Sequence, residues 1–157
     1  MGVKGEQKGS LDGKDLTIGI VAARYNQHIV DALMKGALTT LKEHGAKAGP
    51  ILSVPGSYEI PVAAQALADK GDVDAVICLG CVIKGETAHF EHVAEAAARG
   101  ILDVSLETGV PCIFGVLTTY TEEQAKQRMD KGREAAETAI EMANLLKLVR
   151  RAGNAKR

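Results

Sequence analysis

Tryptophan is missing, and the 157 residues carry only five aromatic side chains: Tyr25, Tyr58, Phe90, Phe114 and Tyr120. A core without large rings must be filled by Val, Ile, Leu and Ala, so the placement of the few aromatics becomes informative. No apolar run approaches the ~18 residues that a membrane span needs, and no signal-peptide pattern opens the sequence. A membrane partner is therefore not expected, and the cytoplasm is the expected compartment. Three cysteines, an odd number, speak against a disulfide framework and for a reducing environment. Neither sign of charge is in excess: 19 basic and 20 acidic residues give a formal net charge of -1. That balance lacks the basic field of a general nucleic-acid binder. The length suits one domain spanning 1–157, since compact domains most often run to about 100–150 residues.

What is present is an alternation of β-branched runs and amphipathic stretches. Residues 1–15 are Gly- and Lys-rich without apolar periodicity, and read as a mobile segment or an arm. LTIGIVAA (16–23) is a continuous apolar run, as expected for a strand buried on both faces. Asn26 is placed to N-cap a helix to about His44, with Ile29, Val30, Leu33, Ala37, Leu38 and Leu41 on one face. ILSV (51–54) reads as a second strand, followed by a helix from Glu59 to Lys70 with Pro61 in its first turn. VDAVICLG (73–80) is a third buried strand, and a long helix from Ala88 to Thr108 precedes a fourth, PCIFGVLT (111–118). Thr121-Glu122-Glu123-Gln124 has the pattern of a capping box. A last helix spans Lys131 to Val149 and runs into a basic tail over 150–157 (Arg150, Arg151, Lys156, Arg157), read as a solvated end. The pattern predicts an α/β three-layer sandwich: a four-stranded parallel sheet with helices on both faces. Its Ala-rich helix faces would suit close packing between subunits.

In such sheets ligands bind beyond the carboxyl ends of the strands. Those ends carry Arg24-Tyr25-Asn26, then Pro55-Gly56-Ser57-Tyr58-Glu59, then Gly80 through Phe90, then Thr118-Thr119-Tyr120. Four of the five aromatics fall there, which favours stacking on a planar ligand over core filling. The third connection imitates a P-loop, but Glu86 stands where a P-loop places its lysine and would repel a triphosphate. A Gly-containing loop at a helix N-terminus still suits a single phosphate. His89, in the first turn of that helix, could take and return a proton beside it. Glu91, His92 and Glu95 lack a metal-ligand spacing and read as a solvated helix face. Cys78 and Cys81 form C-x-x-C without the second pair of a zinc ribbon. Cys78 lies in mid-strand, not at the helix N-terminus of a redox pair. Cys78 and Cys112 therefore read as buried thiols.

In order, these pieces resemble the lumazine synthases. The resemblance runs from Asp12 to Val149 and rests on ARYN (23–26), VPGSYEIP (54–61) and GCVIKGETAHF (80–90). FGVLT (114–118), EQA (123–125) and AIEMA (139–143) complete it. It implies a flavodoxin-like fold and a condensation, without metal or organic cofactor, of 5-amino-6-(D-ribitylamino)uracil with 3,4-dihydroxy-2-butanone 4-phosphate. It further implies that Tyr25 stacks on the pyrimidine, while Ser57, Tyr58, Glu59, Cys81, Val82 and Ile83 hold its edge and ribityl chain. Glu86 and Thr87 would bind the phosphoketone, Arg128 its phosphate, and His89 would move the proton. Phe114 would arrive from a neighbouring subunit of a pentamer, or of a sixty-subunit icosahedral shell of pentamers, and riboflavin synthase would be a possible associate. The chain departs from the family at Tyr25, where Phe or Trp is more usual. It departs again at Met129-Asp130-Lys131-Gly132, where a longer Gly/Asn-rich loop is usual, which leaves the role of Lys131 and the assembly state open. A flavodoxin-like FMN carrier is the competing reading, but the Ser/Thr-rich phosphate loop it needs is replaced by Arg24-Tyr25-Asn26. A shell protein without activity is another, against which stand His89 and Arg128.

Overall fold

A computed structural model describes residues 5–155, with side chains described for 5–153. Four parallel strands, β1 (Thr17–Ala23), β2 (Lys47–Val54), β3 (Ala75–Ile83) and β4 (Cys112–Thr119), form one sheet in the order β2-β1-β3-β4. Five helices accompany them: α1 (Gln27–Glu43), α2 (Ile60–Lys70), α3 (His89–Thr108), α4 (Glu122–Lys126) and α5 (Lys131–Ala155). This is the α/β three-layer arrangement that the alternation predicts, in the flavodoxin-like strand order.

The chain steps one way across the sheet from β1 to β2, then the other way through β3 to β4. Crossovers between parallel strands are right-handed in about 98% of cases, so the reversal sends α1 to one face and α2 and α3 to the other. Side chains alternate along each strand. Ile18, Ile20, Ile77 and Leu79 therefore face α1 and α5. Val21, Ala23, Val76 and Cys78 face α2 and α3. The central strands β1 and β3 are the two apolar runs, buried on both sides.

The edge strand β2 is largely exposed and starts at Lys47, four residues before the apolar ILSV segment. Its opening residues carry no apolar signal because an edge strand needs none. Between Ile18 and Ile20 the β1–β2 register shifts, Ala48 and Ile51 being their partners. Pro50 falls in that shift, and a residue without a backbone N–H fits an edge strand at a bulge.

Three further readings of the sequence change in the structure. Asn26 holds the N-cap position of α1, but its backbone is left-handed (φ 57, ψ 46) and its side chain makes no cap. The last helix does not stop at Val149 but continues to Ala155, and Arg150 donates from Nη2 to the Gly109 carbonyl at 2.7 Å. Arg150 thus closes the C-terminus of α3, where a cation suits the dipole. Lys156 and Arg157 lie outside the described residues, as do Met1 to Lys4. From Gly9 to Asp12 the N-terminal stretch lies along α5, where Asn144 donates to the carbonyls of Ser10 and Asp12, each at 2.8 Å.

The alanine face expected to serve subunit packing is, in α5, used inside the subunit. Ala135, Ala136, Ala139, Ile140 and Ala143 are buried against α1 and the sheet. Gly132 sits so close to the Leu33 carbonyl that a Cβ there would collide with it. This contact seats α5 directly after a four-residue turn, 127–130, with no need of a longer loop. Gly132→Ala should lower the unfolding free energy by roughly 1–3 kcal/mol through overpacking against backbone. Chemical denaturation with an unchanged m-value would register it.

Candidate active site

The strand order reverses between β1 and β3, and at such a switch point the chain diverges on either side of a crevice. A cleft of about 390 Å³ opens there, lined by Tyr25, Asn26, Gly56, Ser57, Tyr58, Glu59, Cys81, Val82, Ile83, His89 and Val93. Eight of the residues picked from the sequence thus meet: Tyr25, Ser57, Tyr58, Glu59, Cys81, Val82, Ile83 and His89. They come from three connections, and the parallel sheet closes the sequence distance between Tyr25 and His89.

Local reasons put them there. The turn after β2 folds into one 3-10 turn, Ser57–Glu59, in which the Glu59 N–H donates to the Gly56 carbonyl at 3.1 Å. Ser57 is buried, and its Oγ lies 2.5 Å from where a Cβ on Gly80 would stand. Glycine at position 80 therefore lets this turn settle onto the end of β3. Tyr25 and Tyr58 stay 74% and 63% exposed at the mouth. Two rings left in water beside a cleft, in a chain with five in all, are available to a ligand. Phe90 and Tyr120 instead pack on each other, centroids 6.2 Å apart, with Lys84 Nζ 5.4 Å from the Tyr120 ring centre.

His89 is the first residue of α3 and is exposed. The loop before it, with Glu86 and Thr87, is exposed as well, and Thr87 Oγ accepts from the His89 N–H at 3.4 Å. α3 starts without a side-chain cap at its N-cap residue, Ala88. Thr121 caps α4 by accepting from the Gln124 N–H at 3.1 Å. The return half of the capping box goes one residue further back, Gln124 Oε1 accepting from the Tyr120 N–H at 2.9 Å.

Four of the selected residues do not line the cleft: Glu86 and Thr87 stay on the exposed loop before α3, and Phe114 and Arg128 lie toward β4. Phe114 lies half-buried on the edge strand β4, opposite Cys78 and against the α2–α3 side of the core. Arg128 follows α4 and donates from Nη1 to the Gln124 carbonyl at 2.8 Å. With Lys131, Thr118 and Thr119 it borders a separate cleft of about 540 Å³ beyond the end of β4. Conversely, Val93 and Asn26 line the first cleft though the sequence reading gave them no site role. Val93 lies one helical turn after His89, a spacing that could have revealed it.

The three thiols of the sheet, of which Cys81 alone lines the cleft, are poor nucleophiles. Burial, with the Glu122 carboxylate adding to it, pushes Cys81 from its ordinary value of 9.0 up to about 11. Burial likewise raises Cys112 to about 11, against a lowering hydrogen bond from Ser105. Cys78 is raised by burial and by Cys112 beside it. Cys81 therefore serves the cleft through its backbone and its bulk, not as a thiolate.

The family model of 6,7-dimethyl-8-ribityllumazine synthase matches residues 15–147 of this sequence. The chain belongs to that family. A 6,7-dimethyl-8-ribityllumazine synthase of Salinibacter ruber (strain DSM 13855 / M31) is 52% identical over 134 residues, covering 81% of this chain and 86% of the relative. As a lumazine synthase the protein is a transferase of riboflavin biosynthesis. It condenses 5-amino-6-(D-ribitylamino)uracil with 3,4-dihydroxy-2-butanone 4-phosphate to 6,7-dimethyl-8-ribityllumazine, releasing phosphate and water.

The raised thiols give this lumazine synthase an alkaline signature. Unfolding frees them to ionise near their ordinary 9.0, whereas Cys81 and Cys112 stay protonated in the fold to about 11. In that window the native state binds more protons than the unfolded one, so stability falls as pH rises from 9 to 11. The thermal midpoint should decline across it, and less steeply in Cys81→Ala. Equal slopes would count against the burial of this thiol as the cause.

Proposed function

We propose that the condensation takes place in the cleft between β1 and β3, with the pyrimidine against Tyr25 and along Ser57–Glu59 and Cys81–Ile83. The observation that carries this reading is the gathering of those residues and His89 around one crevice at the switch point. The phosphoketone would sit toward Glu86 and Thr87 on the exposed loop before α3. The amine then attacks the ketone carbonyl and water leaves to give an imine, phosphate is eliminated, and condensation of the second amine with the remaining carbonyl expels a further water and closes the lumazine ring. His89, at the cleft wall, takes and returns the protons these steps move. Holding the two substrates together supplies much of the rate, since an oriented pair reacts as one molecule. His89→Ala should thus lower turnover only about 10- to 100-fold with the fold intact, general acid–base groups contributing typically ~10²–10⁴-fold. Following lumazine absorbance with both substrates measures it, and unchanged turnover would make His89 structural.

Phe114 and Arg128 enter the reading as residues of a neighbouring subunit. Both belong to the β4 end of the subunit, apart from the cleft that lacks them. A bidentate guanidinium is suited to the phosphate. Val62 on α2 with Leu102 and Leu106 on α3 are 72%, 55% and 75% exposed. Such an apolar stripe suits burial against another copy. A pentamer is the minimal assembly in this proposal. The direct seating of α5 on α1 leaves the short turn no obstacle to a sixty-subunit shell, which we favour. Three free cysteines support a reducing compartment such as the cytoplasm. Among the described residues no helix is long and apolar enough to cross a membrane.

Sharing of the site has a direct consequence. His89→Ala and Arg128→Ala subunits, each weakly active alone, should regain activity when refolded together. Random mixing in equal amounts would restore about a quarter of the sites, the fraction in which both intact residues face one another across a head-to-tail contact. No recovery in sedimenting mixed oligomers would place both residues in one subunit's site.

A further inference from the structure

Hydrogen-bonded pairing of β1 with β3 ends at Ala22 and Leu79. β3 nevertheless continues through Gly80, Cys81 and Val82 to Ile83, paired over that length with β4. Past Leu79 the two central strands part, and the parting is what opens the cleft. One side chain spans it: Nδ2 of Asn26 donates to the Cys81 carbonyl at 2.9 Å, where the next rung of the ladder would have been. The backbone carbonyl of Asn26 meanwhile accepts from Ile29 and Val30 at 2.9 and 3.2 Å. A single residue therefore ties the start of α1 to the end of β3.

Three demands meet at this position. The backbone is left-handed, at φ 57, which Asn and Gly accept and most residues resist. The side chain must carry an N–H donor of short reach. It must also leave room in the cleft that it lines. Glycine satisfies the first and third demands only. Aspartate has the shape and tolerates the backbone, but ionised it offers no donor and sets a negative oxygen against a carbonyl.

We infer that Asn26 is a positioning residue for the condensation, holding Cys81–Ile83 at a fixed separation from Tyr25 and so setting the gap that the planar pyrimidine enters. It acts through the Cys81 carbonyl and not as a catalytic residue. The inference rests on the pyrimidine lying in this cleft.

Steady-state kinetics with each substrate varied, on the full chain and on Asn26→Gly, Asn26→Asp and Tyr25→Ala, test it together with thermal midpoints. Loss of one hydrogen bond should raise the pyrimidine KM about fivefold in Asn26→Gly, with the phosphoketone KM and the midpoint little changed. Asn26→Asp should raise it further. A lower midpoint with an unmoved pyrimidine KM in both Asn26 variants would reduce the residue to a structural role and overturn the inference. Tyr25→Ala separates the two layers of the argument. If it raises the pyrimidine KM and Asn26→Gly does not, the cleft stands and the inference falls. If neither moves it, the cleft is not the pyrimidine site and the inference falls with it.

Discussion

The handedness of the crossover connections is the constraint on which the rest depends. A right-twisted strand packs its following helix back onto the sheet in one sense only. A chain that steps to β2 and then back past β1 to β3 must therefore place α1 and α2 on opposite faces. Two consequences follow together. The sheet is covered on both sides, so β1 and β3 can be almost wholly apolar. The chain ends leaving β1 and β3 also diverge, and the fold produces a crevice with no residue selected for it.

Chemistry is then a matter of what the diverging ends carry. Small residues let the connections meet: glycine at position 80 admits the Ser57 hydroxyl, and Gly56 lies beside the Tyr25 ring. Two tyrosines stay in water at the mouth, where an apolar body and a polar tip suit a planar, hydrogen-bonding ligand. The thiol of Cys81 is held neutral by burial, so the crevice floor neither repels an electron-rich ring nor competes as a nucleophile. His89 stands at the rim of the same crevice, within reach of water as well as of a ligand.

The subunit spends its small residues unevenly. In α5 alanines and Gly132 are consumed by contact with α1, which fixes the α4–α5 turn and with it the region of Arg128. On α2 and α3, large apolar side chains face outward instead. The proposed sharing of active sites brings these facts under one physical cause: a cleft completed from the β4 end of another copy needs an apolar surface nearby to hold that copy.

By itself the sequence determined the strands that are buried on both faces, the helices packed on them, the family and the residue types able to do the chemistry. These are legible because burial of β1 and β3 writes continuous apolar runs, and because PGSYE and GETAHF together at this spacing are specific to the family. The exposed start of β2 was not legible, since an edge strand in water leaves no hydrophobic trace. Nor was the end of α5, where the residues from Arg150 to Gly153 are exposed and no longer report periodicity. Asn26 was misread because one carboxamide serves equally to cap a helix and to accept a left-handed backbone. Only the partner it meets, the Cys81 carbonyl 55 residues away, decides between them. Tertiary structure alone also decided that Tyr25, Ser57, Cys81 and His89 share a crevice while Phe114 and Arg128 do not, because distance across a sheet is set by strand order and not by position along the chain.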